Sequence, residues 1–200
     1  MSATHAINPL RNKLRKELRA RRRDLSTSYK HFASNRITRL LMRSGWLIRG
    51  ARIAIYLATP EELNLKPLIA LAKRRGCTFF VPHIINARRR QMMFYRFDDE
   101  SQLITHRWGI RQLATAAKPI PTRLLDVALI PTVGFDDRGH RLGMGGGFYD
   151  RHFSYATRAR NHKPVLIGVA FACQKISAID SQPHDIQLDA IVTENGLTQF

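Results

Sequence analysis

The sequence has only two cysteines, Cys77 and Cys173, far apart and each within an apolar run. Two thiols make no disulfide framework, and without a C-x-x-C spacing no zinc site is indicated. Both read as structural thiols in a reducing compartment. Long apolar runs are missing too: none approaches the ~20 residues of a membrane span. Met1 to Arg23 holds no apolar stretch of signal-peptide length, so a cytoplasmic protein with no membrane partner is expected. There are no repeats, no low-complexity segment and no linker-like composition, and residues 1–200 are expected to form one domain. Acid is scarce. Fifteen Asp and Glu stand against 33 Lys and Arg, a net charge of +18. Thirteen of those basic residues fall in the first fifty positions, with only Glu17 and Asp24 to oppose them. Such a field favours anionic partners, whether nucleic acid, membrane surface or phosphorylated small molecules.

What is present follows α/β grammar. Leu10, Leu14 and Leu18 put a narrow apolar stripe on a basic helix over residues 10–23. Tyr29, Phe32, Ala33, Ile37, Leu40 and Leu41 mark a helix over 28–43, with Ser26 or Ser28 as N-cap and Gly45 as its stop. Ile53 to Leu57 reads as a strand buried on both faces. A loop with Pro60, Glu61 and Glu62 follows, then a helix through Leu65, Leu68, Ile69 and Ala72 that ends at Gly76. Cys77 to Val81 reads as a strand halted by Pro82, which completes a β-α-β unit. Met92 to Phe97 reads as an edge strand behind the basic loop Arg88-Arg89-Arg90. Residues 98–124 show little periodicity and are expected to wander over the surface. Strands at 127–130, 165–170 and 190–192 and a helix from about Phe148 complete the pattern. The expected fold is α/β: a single-domain, three-layer structure with a central, mostly parallel sheet flanked by helices, and basic N-terminal helices.

The most informative stretch runs from Asp126 to Asp150. A buried strand leads into a loop carrying Gly143, Gly145, Gly146 and Gly147, and the loop leads into a helix. Glycines allow positive φ and let backbone N–H groups approach an anion, a helix start adds positive potential, and Arg141 offers a guanidinium suited to phosphate. Asp150 is a hard oxygen ligand of the kind Mg²⁺ takes beside nucleotide phosphates. No Lys-Ser/Thr pair follows the last glycine, so this is not a Walker loop, and Phe148 stands where a dinucleotide fingerprint needs its third glycine. On spacing alone, phosphate binding and a flexible surface turn both remain open.

The run Arg141-Leu142-Gly143-Met144-Gly145-Gly146-Gly147-Phe148-Tyr149-Asp150-Arg151 closely resembles the signature of the 5-formyltetrahydrofolate cyclo-ligase (methenyltetrahydrofolate synthetase) family. The likeness extends through the basic N-terminal helix, Ile53 to Leu57 with its acidic loop, Trp108-Gly109-Ile110, Asp126 to Phe135, Gly168 to Phe171 with Gln174, and His184-Asp185 leading to Glu194. It implies an ATP- and Mg²⁺-dependent enzyme acting on 5-formyltetrahydrofolate, polyglutamylated or not, as a monomer. Carried over by position, Arg141 to Tyr149 would line the phosphates and the reacting formyl group, with Arg141 and Tyr149 as catalytic groups. Asp150 and Asp185 would hold the metal, while Leu57, Glu62, Met144, Gly145 to Gly147 and Phe148 would contact the folate. Trp108 is a candidate cover for the ligand. At the N-terminal helix, Arg11, Asn12, Lys13, Leu14 and Arg15 match a nucleotide-binding segment, although Arg11 replaces the family's usual lysine. Arg19 and Arg21 to Arg23 are expected to form a solvated face, with attraction of a polyglutamate tail as the alternative. The chain carries no zinc-finger spacing, no RNA-recognition signature and no stacking aromatics in a basic stripe, so no specific nucleic-acid partner is expected.

Overall fold

The computed structural model describes residues 9–99, 103–105, 111–113, 118–154 and 164–200. Along the chain run α1 (Pro9–Arg23), α2 (Thr27–Arg43), β1 (Arg52–Ala54), α3 (Lys66–Arg74), β2 (Thr78–Asn86), β3 (Gln91–Phe97), β4 (Leu103–Thr105), β5 (Arg111–Leu113), β6 (Val127–Pro131), β7 (Gly134–Phe135), β8 (Arg141–Leu142), α4 (Phe148–Phe153), β9 (Val165–Val169), β10 (Ala190–Thr193) and β11 (Gly196–Gln199). Seven strands form the main sheet in the order β11-β10-β9-β6-β1-β2-β3. The five inner strands are parallel, and β11 and β3 close the two edges antiparallel. The mostly parallel α/β sheet expected from the sequence is therefore the one observed.

Strand alternation sends side chains to two cores. Ala190 and Val192 join Ala33, Ile37 and Leu41 of α2 and Leu68 and Ala72 of α3 on one face. Ile191 faces the opposite way, with Phe153, Leu125, Ile186 and Leu188. Each fully buried Leu, Ile or Phe of this kind contributes roughly 1.5–3 kcal/mol. A third, smaller cluster of Leu18, Val133, Leu142 and Ile179 seats α1 on the β7–β8 hairpin. There Gly134 has no room for a side chain, since a Cβ would stand 2.5 Å from a Leu18 methyl. The Ser26 hydroxyl caps α2 by accepting from the Tyr29 N–H.

Several expectations are corrected. The strand after Cys77 does not halt at Pro82 but continues to Asn86. Pro82 lies beyond the end of the β1 pairing, at register with Phe94 of the edge strand, where a missing N–H is tolerated. The strand expected over 53–57 ends at Ala54, and the chain turns out of the sheet to build the acidic loop. Residues 98–124 are not wholly irregular: β4 pairs antiparallel with β5, and Ile120 bridges to Phe94. Leu10 and Phe32, placed on apolar faces by periodicity, are 77% and 53% exposed. Trp108, Gly109 and Ile110 lie outside the described residues. Among the described residues no helix is long and apolar enough to cross a membrane.

Candidate functional site at the glycine loop

The β7–β8 hairpin ends at Leu142, and the glycine loop leaves from there at the carboxyl side of the parallel strands, the usual ligand edge of a doubly wound sheet. Three alternate glycines each face a guanidinium. A Cβ on Gly143 would lie 2.8 Å from Arg141 Nη1, one on Gly145 3.5 Å from Arg15 Cζ, and one on Gly147 3.2 Å from Arg90 Nη1. Gly145 and Gly147 also hold φ of +96° and +67°, which side chains resist. The loop thus combines a left-handed backbone with close packing of cations against it.

Arg15 from α1 donates through Nε to the Gly143 carbonyl at 2.8 Å and through Nη1 to Asn12 Oδ1 at 2.7 Å. Burial and the neighbouring Arg11 draw its guanidinium below the ordinary value, against the opposing pull of Asp185 and Asp150. Arg141, 3% exposed, donates from Nη2 to Asp150 Oδ1 at 2.7 Å and lies 5.9 Å from the Tyr149 ring centroid. Its Nε is buried without a hydrogen-bond partner among the described residues. Arg11 Nη1 donates to Asp185 Oδ2 at 2.7 Å, and the Gln182 N–H donates to the same oxygen. Burial pushes the Asp185 carboxyl up, but these two hydrogen bonds and the Arg11 charge carry it below the ordinary carboxylate value.

Asp150 and Asp185 meet in one place: the N–H of Ile186, next to Asp185, lies 3.4 Å from Asp150 Oδ1. No group of three His, Cys, Asp or Glu gathers among the described residues. Two carboxylates, with Asp150 Oδ2 uncommitted among the described residues, still suit Mg²⁺, which binds through one or two carboxylates and takes its remaining oxygens from phosphates and water.

The acidic loop after β1 is tied to α1 by arginine–carboxylate pairs. Tyr56 donates to the Leu63 carbonyl at 2.8 Å, and Glu62 Oε2 accepts from the Thr59 N–H at 2.9 Å. Arg22 Nη2 lies 3.0 Å from Glu61 Oε2, and its Nη1 lies 3.9 Å from Glu62 Oε1. Arg19 and Arg23 also pair with Glu61. Burial raises the Glu61 carboxyl, but the hydrogen bonds from Arg22 and Arg19 outweigh it and the net shift is downward. Burial and then the Glu62 charge raise both the Tyr56 and the Tyr149 phenols. Helix α1 links the two loops: its Arg15 donates to the Gly143 carbonyl, while its Arg22 pairs with Glu61 and lies 3.9 Å from Glu62.

Of the residues expected at the site, Arg11, Arg15, Arg141, Asp150 and Asp185 converge, with Asn12 holding Arg15. Met144 is exposed, Gly145 and Gly146 line the open face, and Phe148 and Tyr149 pack on the core below. Leu57 is half-buried at the root of the acidic loop. Lys13 is exposed, whereas Leu14 and Leu142 turn into the small core. The solvated face expected at Arg19 and Arg21 to Arg23 is overturned at Arg22, which is 2% exposed and ion-paired. A signal existed: Arg22 continues the i+4 row of Leu14 and Leu18, so it shares their buried stripe. Arg90 gave no such signal, because the β2–β3 hairpin brings it in from another part of the sheet.

These features define a doubly wound α/β protein with a charged site of cations and carboxylates at the carboxyl edge of its sheet. The 5-formyltetrahydrofolate cyclo-ligase family model matches residues 8–194, and the chain belongs to that family. It is 29% identical to the Escherichia coli K12 5-formyltetrahydrofolate cyclo-ligase over 92% of this chain and 100% of that protein. It is 26% identical to the mouse 5-formyltetrahydrofolate cyclo-ligase over 97% and 98%. Among solved structures, the Mycoplasma pneumoniae 5,10-methenyltetrahydrofolate synthetase superposes with a TM-score of 0.71 at 26% identity, covering 92% of this chain and 98% of that one. The Aquifex aeolicus 5,10-methenyltetrahydrofolate synthetase shares the fold with a TM-score of 0.79 at 24% identity, over 95% and 92%.

Proposed function

We propose that this chain converts 5-formyltetrahydrofolate to 5,10-methenyltetrahydrofolate with consumption of ATP and release of ADP and phosphate, acting in the cytoplasm as a monomer on folates with or without a polyglutamate tail. The observation that carries the reading is the joining of two chemically different loops. A cationic glycine loop suited to phosphates and a carboxylate, Glu62, suited to the pterin's N–H donors are both held by arginines of α1.

An N-formyl group is a poor electrophile with a poor leaving group. In the proposed course its oxygen forms a bond to the γ-phosphorus as the bridging P–O bond breaks and ADP leaves. The N10 lone pair then attacks the activated carbon, the C–O bond breaks with phosphate departing, and N10 loses its proton. Little covalent chemistry falls to the protein, so alignment and charge neutralisation dominate. Arg15 and Arg141 neutralise phosphate oxygens at the loop. Arg11 orients Asp185, and the Arg141–Asp150 pair fixes both partners. Asp150 and Asp185 would hold Mg²⁺, which when bound neutralises phosphate charge. Tyr149, its phenol shifted upward, stays protonated and serves as a hydrogen-bond donor near the formyl oxygen. Leu57, Met144 and Phe148 supply apolar contact to the folate.

The test is spectroscopic. Purified protein mixed with 5-formyltetrahydrofolate, ATP and Mg²⁺ should develop the methenyl absorption band and release ADP in equal amount. Folate turnover without ADP release, or no band at all, would remove the proposal.

A further inference from the structure

Arg90 is the one non-glycine among the described residues with a positive φ, +52°. It closes the tip of the β2–β3 hairpin, where its N–H donates to the Ala87 carbonyl at 3.2 Å and Asn86 accepts from the Arg89 N–H. The strand register shifts between Ile84 and Asn86, just before this turn. A left-handed arginine is unfavourable where glycine is free to serve. Here that backbone carries a guanidinium whose Nη1 lies 3.2 Å from where a Gly147 Cβ would be.

The other two arginines of the glycine loop each already donate to a partner within the protein. Arg141 is bound to Asp150 and Arg15 to the Gly143 carbonyl and Asn12. Arg90 is half-buried, and no carboxylate engages it among the described residues. Its neighbours Arg88 and Arg89 are exposed. A guanidinium laid against a side-chain-free stretch of backbone, with its N–H donors uncommitted, is suited to an anionic oxygen group resting on that backbone. We propose that Arg90 is a third cationic contact of the site and that it binds the phosphate chain of the nucleotide. This rests on the functional reading above and adds to it a residue from a different part of the sheet, the tip of the β2–β3 hairpin.

Three variants and two readouts test it. Arg90→Gly removes the guanidinium and relieves the left-handed backbone, so thermal stability should hold or rise. Arg90→Lys keeps the charge, and Arg88→Gln controls for the general loss of a surface cation. Calorimetric titration of MgATP without folate should show affinity falling about tenfold for Arg90→Gly, with Arg90→Lys between it and the parent and Arg88→Gln within about twofold. Binding of adenosine, which carries no phosphate, should be unchanged. Steady-state turnover should show the same rise in KM for ATP and none for 5-formyltetrahydrofolate. Unaltered MgATP affinity in Arg90→Gly, or a rise in the folate KM alone, overturns the assignment. A parent protein that binds MgATP but forms no methenyl product would defeat the functional reading instead, and the titrations would still decide the role of Arg90.

Discussion

Arg11 in the first turns of α1 donates to Asp185, which lies 174 positions along the chain, across 2.7 Å. The contact ties the N-terminal helix to the segment before β10 and helps to hold the Asp185 carboxyl ionised. Asp185 and the fully buried Asp136 are each held below the ordinary carboxylate value of 3.8. For Asp136, burial acts upward but is outweighed by N–H donors from Ile179, Arg138 and His140 and by the His140 ring. Folded-state values that are depressed mean that the unfolded chain binds more protons, so stability rises with pH through this window. The contribution is complete above the unfolded value and is lost as pH falls through the folded ones. Denaturant midpoints measured from neutral pH down to about pH 3 should therefore fall steeply on the acid side, and Asp185→Asn should flatten part of that fall. An equally steep fall in the variant would show that the Arg11 pair does not act in this way.

Asp150→Asn should lower MgATP-dependent turnover by about a hundredfold or more. It should also cost about 1–3 kcal/mol of stability, less than loss of a fully buried pair, because Asp150 is partly exposed and Asn still accepts a hydrogen bond. Single-turnover kinetics and a melting curve read the two effects separately. Near-normal turnover would take Asp150 out of the reacting centre.

Gly143→Ala should reproduce the Asp150→Asn defect. Its Cβ would sit 2.8 Å from Arg141 Nη1 and force the guanidinium from its carboxylate. Because both changes act on one ion pair, the double variant should lose much less than the product of the single losses. Multiplicative losses would separate the glycine from the pair.

Arg22→Met removes a buried charge that braces Glu61 and Glu62 while keeping much of the side chain's apolar bulk. Removing one partner leaves Glu61 and Glu62 short of a cation, so stability should fall by about 1–3 kcal/mol, moderated by the Arg19 and Arg23 pairs that Glu61 keeps. Its KM for folate should rise about tenfold with the KM for ATP within about twofold, and Glu62→Ala should weaken folate more strongly in the same direction. A comparable rise for both substrates would instead place Arg22 in support of the whole helix.

Tyr149→Phe should lower kcat by about tenfold, and by the same factor at every pH up to about 9. The phenol is raised by burial and by Glu62, so it remains protonated across that range and donates rather than accepts a proton. A basic limb in the parent profile that disappears in the variant would make Tyr149 a titrating group.

The legible part of the site was the part whose geometry is local. From Arg141 to Asp150 one hairpin, one loop and the start of α4 carry the motif, so both residues were legible as members of one short segment, while their ion pair was not. The i+4 row of α1 likewise gives Arg11 and Arg15 a common face. The acidic loop was legible as a loop, but not its cations: Arg19, Arg22 and Arg23 read as a solvated face because their partners, Glu61 and Glu62, are about forty positions away. Pro82 misled in the opposite direction. Its effect as a strand breaker depends on which neighbour it lacks, and β1 had already ended.

The sequence by itself determined the alternation of strands and helices, the parallel core and the position of the glycine loop, because hydrophobic period and glycine placement act within a few residues. Only the tertiary structure decided which charges are spent on one another. Arg11 is matched to Asp185, Arg22 to Glu61, and Arg90 arrives at Gly147 from a hairpin on the far strand. Coulomb energy and desolvation depend on distance in space, and separation along the chain carries no record of it.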